Sequence, residues 1–288
     1  NPISDWDEYE TELKKRLGLD NKLVRNMTTK AQLNPKRVVF AEADNLKILK
    51  AAQTATEEGV CKPILLGKRK VIESLMQEYS IEFQDFQIID PKSDTEKARR
   101  QCYGKSFFEK RKRKGITEYE AIQIMRERNH FGAMMVESGD ADAMISGLTR
   151  NYRDVVRPAI QTVGLQKDVN VVAGVYILMT KRGPLFLADT TINMDPTAEE
   201  IAEITSNVAK TLRKFKVTPR IALLSYSNFG SSPGNDAQKM ADAVQILHEK
   251  HPTIVVDGEL QANFALNNEL MNEKFAFSTL ANKEVNTL

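Results

Sequence analysis

Short apolar segments alternate with helix-like segments along the chain from Arg37 onward. RVVFA precedes a helical pattern over Leu46 to Glu58 that Gly59 closes, and KPILLG precedes another over Lys68 to Glu78. Alternation of this kind is typical of parallel β-α-β units, because two parallel strands need a crossover connection and a helix supplies it. The pattern therefore predicts an α/β fold with mostly parallel sheets.

The later part of the chain continues the alternation and adds one exception. Lys181-Arg182-Gly183 separates the apolar segments VNVVAGVYILMT and PLFLADT at hairpin spacing, which predicts an antiparallel pair. The strands predicted elsewhere are QIID, ADAMIS, RIALLSY and TIVVDG. Helices are predicted over 93–114, 117–137, 152–163, 198–215, 237–250 and 260–271. Mixed strand directions are expected only in the later part of the chain.

Length and pattern also predict how the chain is divided. With 288 residues, of which 41% are hydrophobic, it can bury a sizeable core and is predicted to form two lobes, over 35–168 and 169–288. Residues 1–34 are predicted to be a helical connector. Ser4 and Asp7 form a capping pair for a helix to about Leu17, and a second helix is predicted over 22–32.

Charge and composition exclude several classes of protein. Lysine plus arginine number 41 against 39 acidic residues, a net charge of +2, so a nucleic acid partner is not expected. The basic run over 97–114 is typical of a solvated helix face. No apolar run is long enough to span a membrane, and the N-terminus does not resemble a signal peptide. Cys61 and Cys102 form no paired motif, which indicates a reducing compartment and a cytoplasmic location.

The segment ADAMISGLTRNYRDVVRPAIQ, over 141–161, has the character of an anion site. An apolar strand ends in Ser146-Gly147, and a loop and helix follow with Arg150, Arg153 and Arg157. Helix N-termini attract anions, and guanidinium groups match the geometry of phosphate. Because α/β proteins bind ligands beyond the carboxyl ends of their strands, the segment predicts a phosphate-bearing ligand.

Two later segments repeat this order of strand, small polar loop and helix. PLFLAD leads into TTINMDPTAEE, and RIALLSY leads into SNFGSSPGND, with Pro196 and Pro233 placed where a helix can begin. We expect the three strand ends to converge on one cleft between the lobes, lined by 146–157, 190–197 and 225–232.

Other chemistries are less well supported. Gly230 to Gly234 fits the G-x-S-x-G pattern of a hydrolase, but only His248 and His251 follow it, at the next helix, so a phosphate-binding loop is the preferred interpretation. Neither a phosphate-loop motif nor a dinucleotide fingerprint is present, so NADP is not expected to bind here. The three histidines lack metal-ligand spacing, and no metal site is predicted.

Three segments also carry a resemblance to a known family. DADAMISGLTRNYRDVVRPA, INMDPTAEE and LLSYSNFGSS resemble the signature regions of the phosphate acetyl/butyryltransferase, or phosphotransacetylase, family, and the likeness extends over Arg37 to Leu288. The resemblance implies a two-lobe, three-layer α/β/α phosphotransacetylase-like fold. The opening stretch, NPISDWDEYETELKKRLGLDNKLVRN, resembles the connector between the malic domain and the transacetylase-like domain of large bacterial NADP-dependent malic enzymes. NADP and a divalent metal would then belong to the malic domain, which is absent from this sequence.

The resemblance also implies which residues bind the ligand. Arg157, fixed by the following proline, matches the family's phosphate-contacting arginine, and Arg111 matches another arginine, although a shift of register by two would put Arg113 there. The full set of expected ligand residues is Arg111, Ser146, Gly147, Thr149, Arg150, Arg153, Asp154, Arg157, Asn193, Ser225, Ser227, Gly230 and Ser231. The residues after Ser-Gly are bulkier and more charged than is usual in the family. Its catalytic Ser-Arg pair and aspartate are expected beyond Leu288, in a closing segment that this chain lacks, so no catalytic residue is assigned.

Two functions remain open at this point. The first is a regulatory domain that binds acetyl-CoA and inhibits a malic enzyme, which converts malate to pyruvate and CO2. The second is an active phosphate acetyltransferase that converts acetyl-CoA and phosphate to acetyl phosphate and CoA. The resemblance implies acyl-CoA or phosphate as ligand, a homodimer through the second lobe and a larger oligomer in the full-length protein.

Overall fold

The structure, a computed structural model, describes residues 22–82 and 84–288. The helix predicted from Ser4 to about Leu17 lies outside the described residues. The chain divides into two compact units, one over Asn26–Gly164 and the other over Leu165–Leu288 together with residues 22–25. The predicted boundary was 168/169. Most of the second predicted connector helix falls in the first unit.

The first unit is a four-stranded parallel sheet with helices along it. Its strands are β1 (Lys36–Phe40), β2 (Cys61–Leu66), β3 (Gln87–Ile89) and β4 (Ala143–Ile145), in the order β3-β2-β1-β4. Its helices are α2 (Leu46–Glu57), α3 (Arg69–Glu78), α4 (Lys97–Arg111), α5 (Glu118–Ile124), α6 (Arg128–Glu137) and α7 (Tyr152–Thr162), together with α1 (Lys22–Leu33) from Asn26 onward. Because β1 pairs in parallel with both β2 and β4, the carboxyl ends of β1 and β4 are neighbours.

Alternation along the strands gives this sheet a core on each face. Val39 packs into a cluster with Phe107 and Phe131, whereas the next residue, Phe40, packs into a separate cluster with Leu49. Successive side chains of a strand point to opposite faces, so helices cover both sides. The predicted three-layer α/β/α arrangement and mostly parallel sheets are confirmed.

The prediction of one continuous helix over 117–137 in this unit is wrong. The segment 117–137 is two helices, α5 and α6, because the Glu127 carboxylate accepts hydrogen bonds from the backbone N–H groups of Asn129 and His130 and so caps a new helix. The preceding prediction, 93–114, corresponds to α4 with short 3-10 turns at both ends.

The second unit combines an antiparallel pair with a parallel pair. Its strands are β5 (Val175–Thr180), β6 (Gly183–Ala188), β7 (Arg220–Leu224) and β8 (Val255–Leu260). Its helices are α8 (Ala198–Lys214), α9 (Asn235–Lys250), α10 (Ala262–Ala265) and α11 (Asn268–Lys274). β5 and β6 form the predicted hairpin, and Gly183 takes the positive φ of +112° at its turn. β7 and β8 are parallel.

The last residues of the chain join these two pairs. The N–H of Phe186 in β6 donates to the carbonyl of Asn286, and the N–H of Ala222 in β7 donates to the carbonyl of Thr287, both at 2.9 Å. Thr287 is fully buried between them. Thr287 thus forms single parallel β-bridges with Phe186 and Ile221.

The helix predicted over 260–271 is wrong. β8 runs through Leu260, which pairs with Leu224, and two short helices follow. Asn267 separates them, because its side chain accepts a hydrogen bond from the N–H of Leu270 and caps α11. Within the described part of the chain, no helix is both long enough and apolar enough to cross a membrane.

Candidate functional site

The loop over 146–150, which follows β4, is held by a buried carboxylate. Glu42 lies just beyond the end of β1 and is 2% exposed. Its Oε2 accepts from the N–H groups of Gly147 at 2.7 Å and Leu148 at 2.8 Å. Its Oε1 accepts from the N–H of Thr149 at 2.8 Å and from the Thr149 hydroxyl. Gly147 and Thr149 were predicted to bind the ligand, but their backbone N–H groups bind the carboxylate of Glu42 instead.

The hydrogen bonds also set the charge of Glu42. Burial opposes ionisation, but bonds from the Thr149 hydroxyl and from the three backbone N–H groups outweigh it, so the pKa of Glu42 lies below its usual value. At neutral pH the loop thus closes around a carboxylate anion that belongs to the chain itself.

A buried amide ties the same loop to α7. Pro158 lies inside α7 and has no N–H to donate to the carbonyl of Asp154, four residues earlier. The Nδ2 of Asn129 donates to that carbonyl instead, at 3.0 Å, while the Oδ1 of Asn129 accepts from the Ser146 hydroxyl at 2.8 Å. Asn129 is 1% exposed, so this link fixes where α7 starts relative to the loop.

An ion pair braces the neighbouring backbone. The Arg128 guanidinium donates to both carboxylate oxygens of Asp44, at 2.6 and 2.8 Å, in the bidentate arrangement. The bond from Arg128, helped by the more distant charge of Arg150, lowers the pKa of Asp44 despite its partial burial. Both charges of the Arg128–Asp44 pair are thus used inside the unit.

The arginines that follow the loop remain available. Arg150, Arg153 and Arg157 are all exposed, and the last two stand four residues apart on α7, which places them on one face of the helix. The side chains of Arg153 and Arg157 make no hydrogen bond or ion pair with another described residue. Asp154 is exposed on the first turn, and Arg111, the last residue of α4, has no such bond within the described chain either.

The loop over 225–232, which follows β7, is built in a similar way in the second unit. Ser227 is fully buried, and its hydroxyl donates to Oε1 of Glu259, a residue of β8, at 3.0 Å. The N–H of Gly230 donates to the same Oε1, and the N–H of Ser232 donates to the Ser227 hydroxyl at 3.1 Å. Ser231 accepts from the N–H of Asn228 at 2.9 Å. These serines mainly hold the loop together.

The third predicted segment, over 190–197, is engaged in the same manner. The amide nitrogen of Asn193 donates to the carbonyl of Val172 at 2.8 Å and to the carboxylate of Asp189 at 2.9 Å. Thr197 and Glu200 form a capping box that begins α8. The Asn193 side chain thus stabilises the turn after β6.

The hydrolase and metal-site interpretations both depend on where the histidine, cysteine and acidic side chains lie. His248 is bound through its Nε2 to the carbonyl of Val256 at 2.9 Å, so its ring packs against its own unit as a structural group. Among residues 22–82 and 84–288, no three histidine, cysteine or acidic side chains are grouped as metal ligands would be. The hydrolase interpretation gains no support from the position of His248.

The predicted site residues are divided between the units. Arg111 and the residues over 146–157 belong to the first unit, and those over 193–231 belong to the second. Their convergence on one cleft stays a prediction. Within each unit, the structure gathers the loop residues around a carboxylate.

Sequence reasoning missed Glu42, Asn129 and Glu259. Glu42 and Glu259 share a pattern, because each is an acidic residue in or just after an apolar strand, in FAEAD and VVDGEL. An acidic residue at such a position could have indicated a carboxylate that accepts hydrogen bonds from a Gly/Ser loop elsewhere in the chain. Asn129 has no local signal, since its role depends on Pro158 in another helix.

Comparisons with known proteins agree with the fold. The model of the phosphate acetyl/butaryl transferase family matches residues 22–286. The NADP-dependent malic enzyme of Escherichia coli K12 is 35% identical over 283 residues, which cover 97% of this chain and 37% of that protein. This chain matches the C-terminal part of such malic enzymes. It thus spans little more than a third of their length.

Two other relatives consist largely of this domain. The phosphate acetyltransferase of Clostridium acetobutylicum is 30% identical over 266 residues, which cover 90% of this chain and 79% of that protein. A phosphotransacetylase from Streptococcus pyogenes has a crystal structure that matches with a TM-score of 0.80 at 30% identity, covering 92% of this chain and 80% of that one. On sequence and fold together, the chain belongs to the phosphate acetyl/butaryl transferase family.

Proposed function

We propose that this chain is a regulatory domain that binds acetyl-CoA and thereby inhibits a malic enzyme domain preceding it in a cytoplasmic protein. That protein would convert malate to pyruvate and CO2. NADP and a divalent metal would be held by the malic domain, and this chain would bind only the acyl-CoA. The likeness to the C-terminal part of malic enzymes supports the assignment.

The observation that carries the proposal is the free arginine face of α7. Arg153 and Arg157 are exposed, lie on one side of the helix and have no partner among the described residues. CoA carries a diphosphate and a further phosphate. One guanidinium group can donate two parallel hydrogen bonds to the oxygens of a phosphate. Because Glu42 occupies the N–H groups of residues 147–149, we expect the exposed guanidinium groups that follow them to meet a phosphate.

A second function is supported by a different observation. Phosphate acetyltransferases are similar along 89–90% of this chain at 30–33% identity. In an active transferase, the same arginines would orient inorganic phosphate for attack on the thioester of acetyl-CoA, and positioning of that kind lowers the barrier. The run from Thr149 to Asp154 is bulkier and more charged than is usual in the family, and for that reason we favour binding over turnover.

Three assays on one preparation separate these functions. Calorimetric titration with acetyl-CoA should give saturable binding, whereas no heat beyond dilution would contradict both functions. In the full-length protein, acetyl-CoA should lower the rate of malate-dependent NADP reduction, and an unchanged rate would contradict the regulatory role. Thioester formation from acetyl phosphate and CoA at about one turnover per second or faster would favour the transferase.

We further propose that the domain forms a homodimer through its second unit, within a larger oligomer of the full-length protein. Strand β5 exposes apolar side chains: Tyr176, Leu178 and Met179 are 48%, 45% and 43% exposed. Tyr176 and Leu178 stand two residues apart, so they share one face of the strand. Light scattering should report a dimer that Leu178→Glu converts to a monomer. A wild-type monomer at micromolar concentration would contradict this.

A further inference from the structure

A cavity of about 660 Å³ opens in the second unit, away from the loop over 225–232. It is walled by the β5–β6 turn (180–185), the segment after α8 (216–218), the residues between α10 and α11 (265–268) and the segment 284–286. Arg220, the first residue of β7, also lines it, whereas the loop follows the last residue of β7. We call this space the hairpin cavity. Its size is in the range of small-molecule sites, about 300–1,000 Å³.

The rim of the hairpin cavity is positively charged. The charged side chains on its walls are mainly cationic: Lys181, Arg182, Lys216 and Arg220, against Glu284. The side chains of Lys181 and Lys216 are exposed and make no hydrogen bond or ion pair with any residue that the structure describes. Their charges are therefore uncompensated at the entrance and attract an anion.

The interior of the hairpin cavity is mainly apolar, although Thr180, Thr218 and Asn286 also line it. Leu185, Val217, Leu266 and Val285 contribute aliphatic side chains. The Oδ1 of Asn268 is buried and has no hydrogen-bond partner within the described chain. Buried acceptors are nearly always paired in folded proteins, and Asn268 lines the cavity, so a turn of its side chain toward the cavity would let this oxygen accept a donor from an occupant.

From these three features we propose that the hairpin cavity binds a small organic anion with an apolar body and an N–H or O–H donor. The anionic group meets Lys181 and Lys216 at the rim, the apolar body lies against Leu266, and the donor reaches Asn268 Oδ1. Because the cavity lies at the start of β7 and the loop at its end, this site is separate from the loop and does not depend on acetyl-CoA binding.

The dye 8-anilino-1-naphthalenesulfonate is a suitable probe, because it combines a sulfonate, an aromatic body and an aniline N–H. Its fluorescence on titration with the chain should report saturable binding of one dye per chain. N-phenyl-1-naphthylamine, which lacks the sulfonate, should bind about tenfold more weakly, since it loses the charged contacts. Equal affinity for the two dyes would contradict the role of the lysines.

Variants locate the bound dye. Asn268→Leu removes the acceptor, and the pair Lys181→Ala with Lys216→Ala removes two rim charges, so each should weaken dye binding by about tenfold. Lys167→Ala with Lys250→Ala removes the same charge from exposed positions elsewhere in the unit and should leave the affinity unchanged.

A third variant fills the space without changing charge. Leu266 is 41% exposed, so Leu266→Trp has room to fold and should abolish dye binding. If that variant does not fold, the Asn268 and lysine variants decide the question alone. Absence of saturable binding, or affinity unchanged in both of those variants, would overturn the proposal.

Discussion

The loop over 146–150 and the loop over 225–232 are each held by a buried carboxylate from the neighbouring parallel strand. Glu42 follows β1, the partner of β4, and Glu259 lies in β8, the partner of β7. Glu42 uses both oxygens on the first loop, whereas the hydrogen bonds of Glu259 reach Oε1 only. A Gly/Ser loop after a strand can therefore close on an internal anion, so its sequence alone does not make it a ligand site.

The two loops differ in the charge that follows them. Arg150, Arg153 and Arg157 come after the first, whereas Asp236 stands in the first turn of α9 after the second. Because the backbone donors of both are engaged, we infer that phosphate recognition depends on the arginines and therefore on the first loop.

Glu42→Gln should produce the largest loss of stability. An amide keeps one acceptor oxygen but turns an NH2 group toward backbone donors, so two of the four hydrogen bonds are lost and the charge with them. We expect the free energy of unfolding, measured with urea, to fall by about 2–4 kcal/mol. A loss below about 1 kcal/mol would mean that the carboxylate is not what holds the first loop.

Asn129→Ala should cause the next largest loss in the free energy of unfolding, about 1–3 kcal/mol. The substitution leaves the Asp154 carbonyl and the Ser146 hydroxyl without their partner. Pro158→Ala supplies the N–H that α7 lacks. In that background Asn129→Ala should cost about 1 kcal/mol less, measured as a double-mutant cycle. Additive losses would show that Asn129 does not compensate for the proline.

The stabilising effect of Glu42 should depend on pH. Its pKa is lower in the folded chain than the value of about 4.3 expected when unfolded, so the stabilisation is complete above that pH and is lost as the pH falls through the folded pKa. The difference in unfolding free energy between wild type and Glu42→Gln should be constant above about pH 5 and shrink below about pH 4. A difference that grows with acidity would contradict the lowered pKa.

Of the three substitutions, Glu259→Gln should lower the free energy of unfolding least, by at most about 1 kcal/mol, because the amide oxygen can still accept from Ser227 and Gly230. Glu42→Gln is its matched control, with the same chemical change on a carboxylate that uses both oxygens. If the two variants lose equal stability, the two loops are held alike and the contrast between them fails.

Much of the fold could be predicted from the sequence because its signals are local. The β5–β6 hairpin depends on Gly183, and the β-α-β order follows from apolar runs and helical spacing. The helix predicted over 260–271 failed because Leu260 pairs with Leu224, a contact that no local pattern encodes. The bond from Gly147 to Glu42 spans 105 residues, so the carboxylate in the first loop could not be found by inspecting the loop.

We expect phosphate recognition to rest on the arginines that follow the first loop. Calorimetric titration of wild type, Arg157→Ala and Arg69→Ala with acetyl-CoA tests it most directly. Arg69 lies on α3 and donates to a carbonyl of β3, at the sheet edge opposite β4, so it is a matched loss of charge. We expect about ten- to a hundredfold weaker binding for Arg157→Ala and no change for Arg69→Ala. Equal affinity in all three proteins would show that Arg157 does not bind the phosphate.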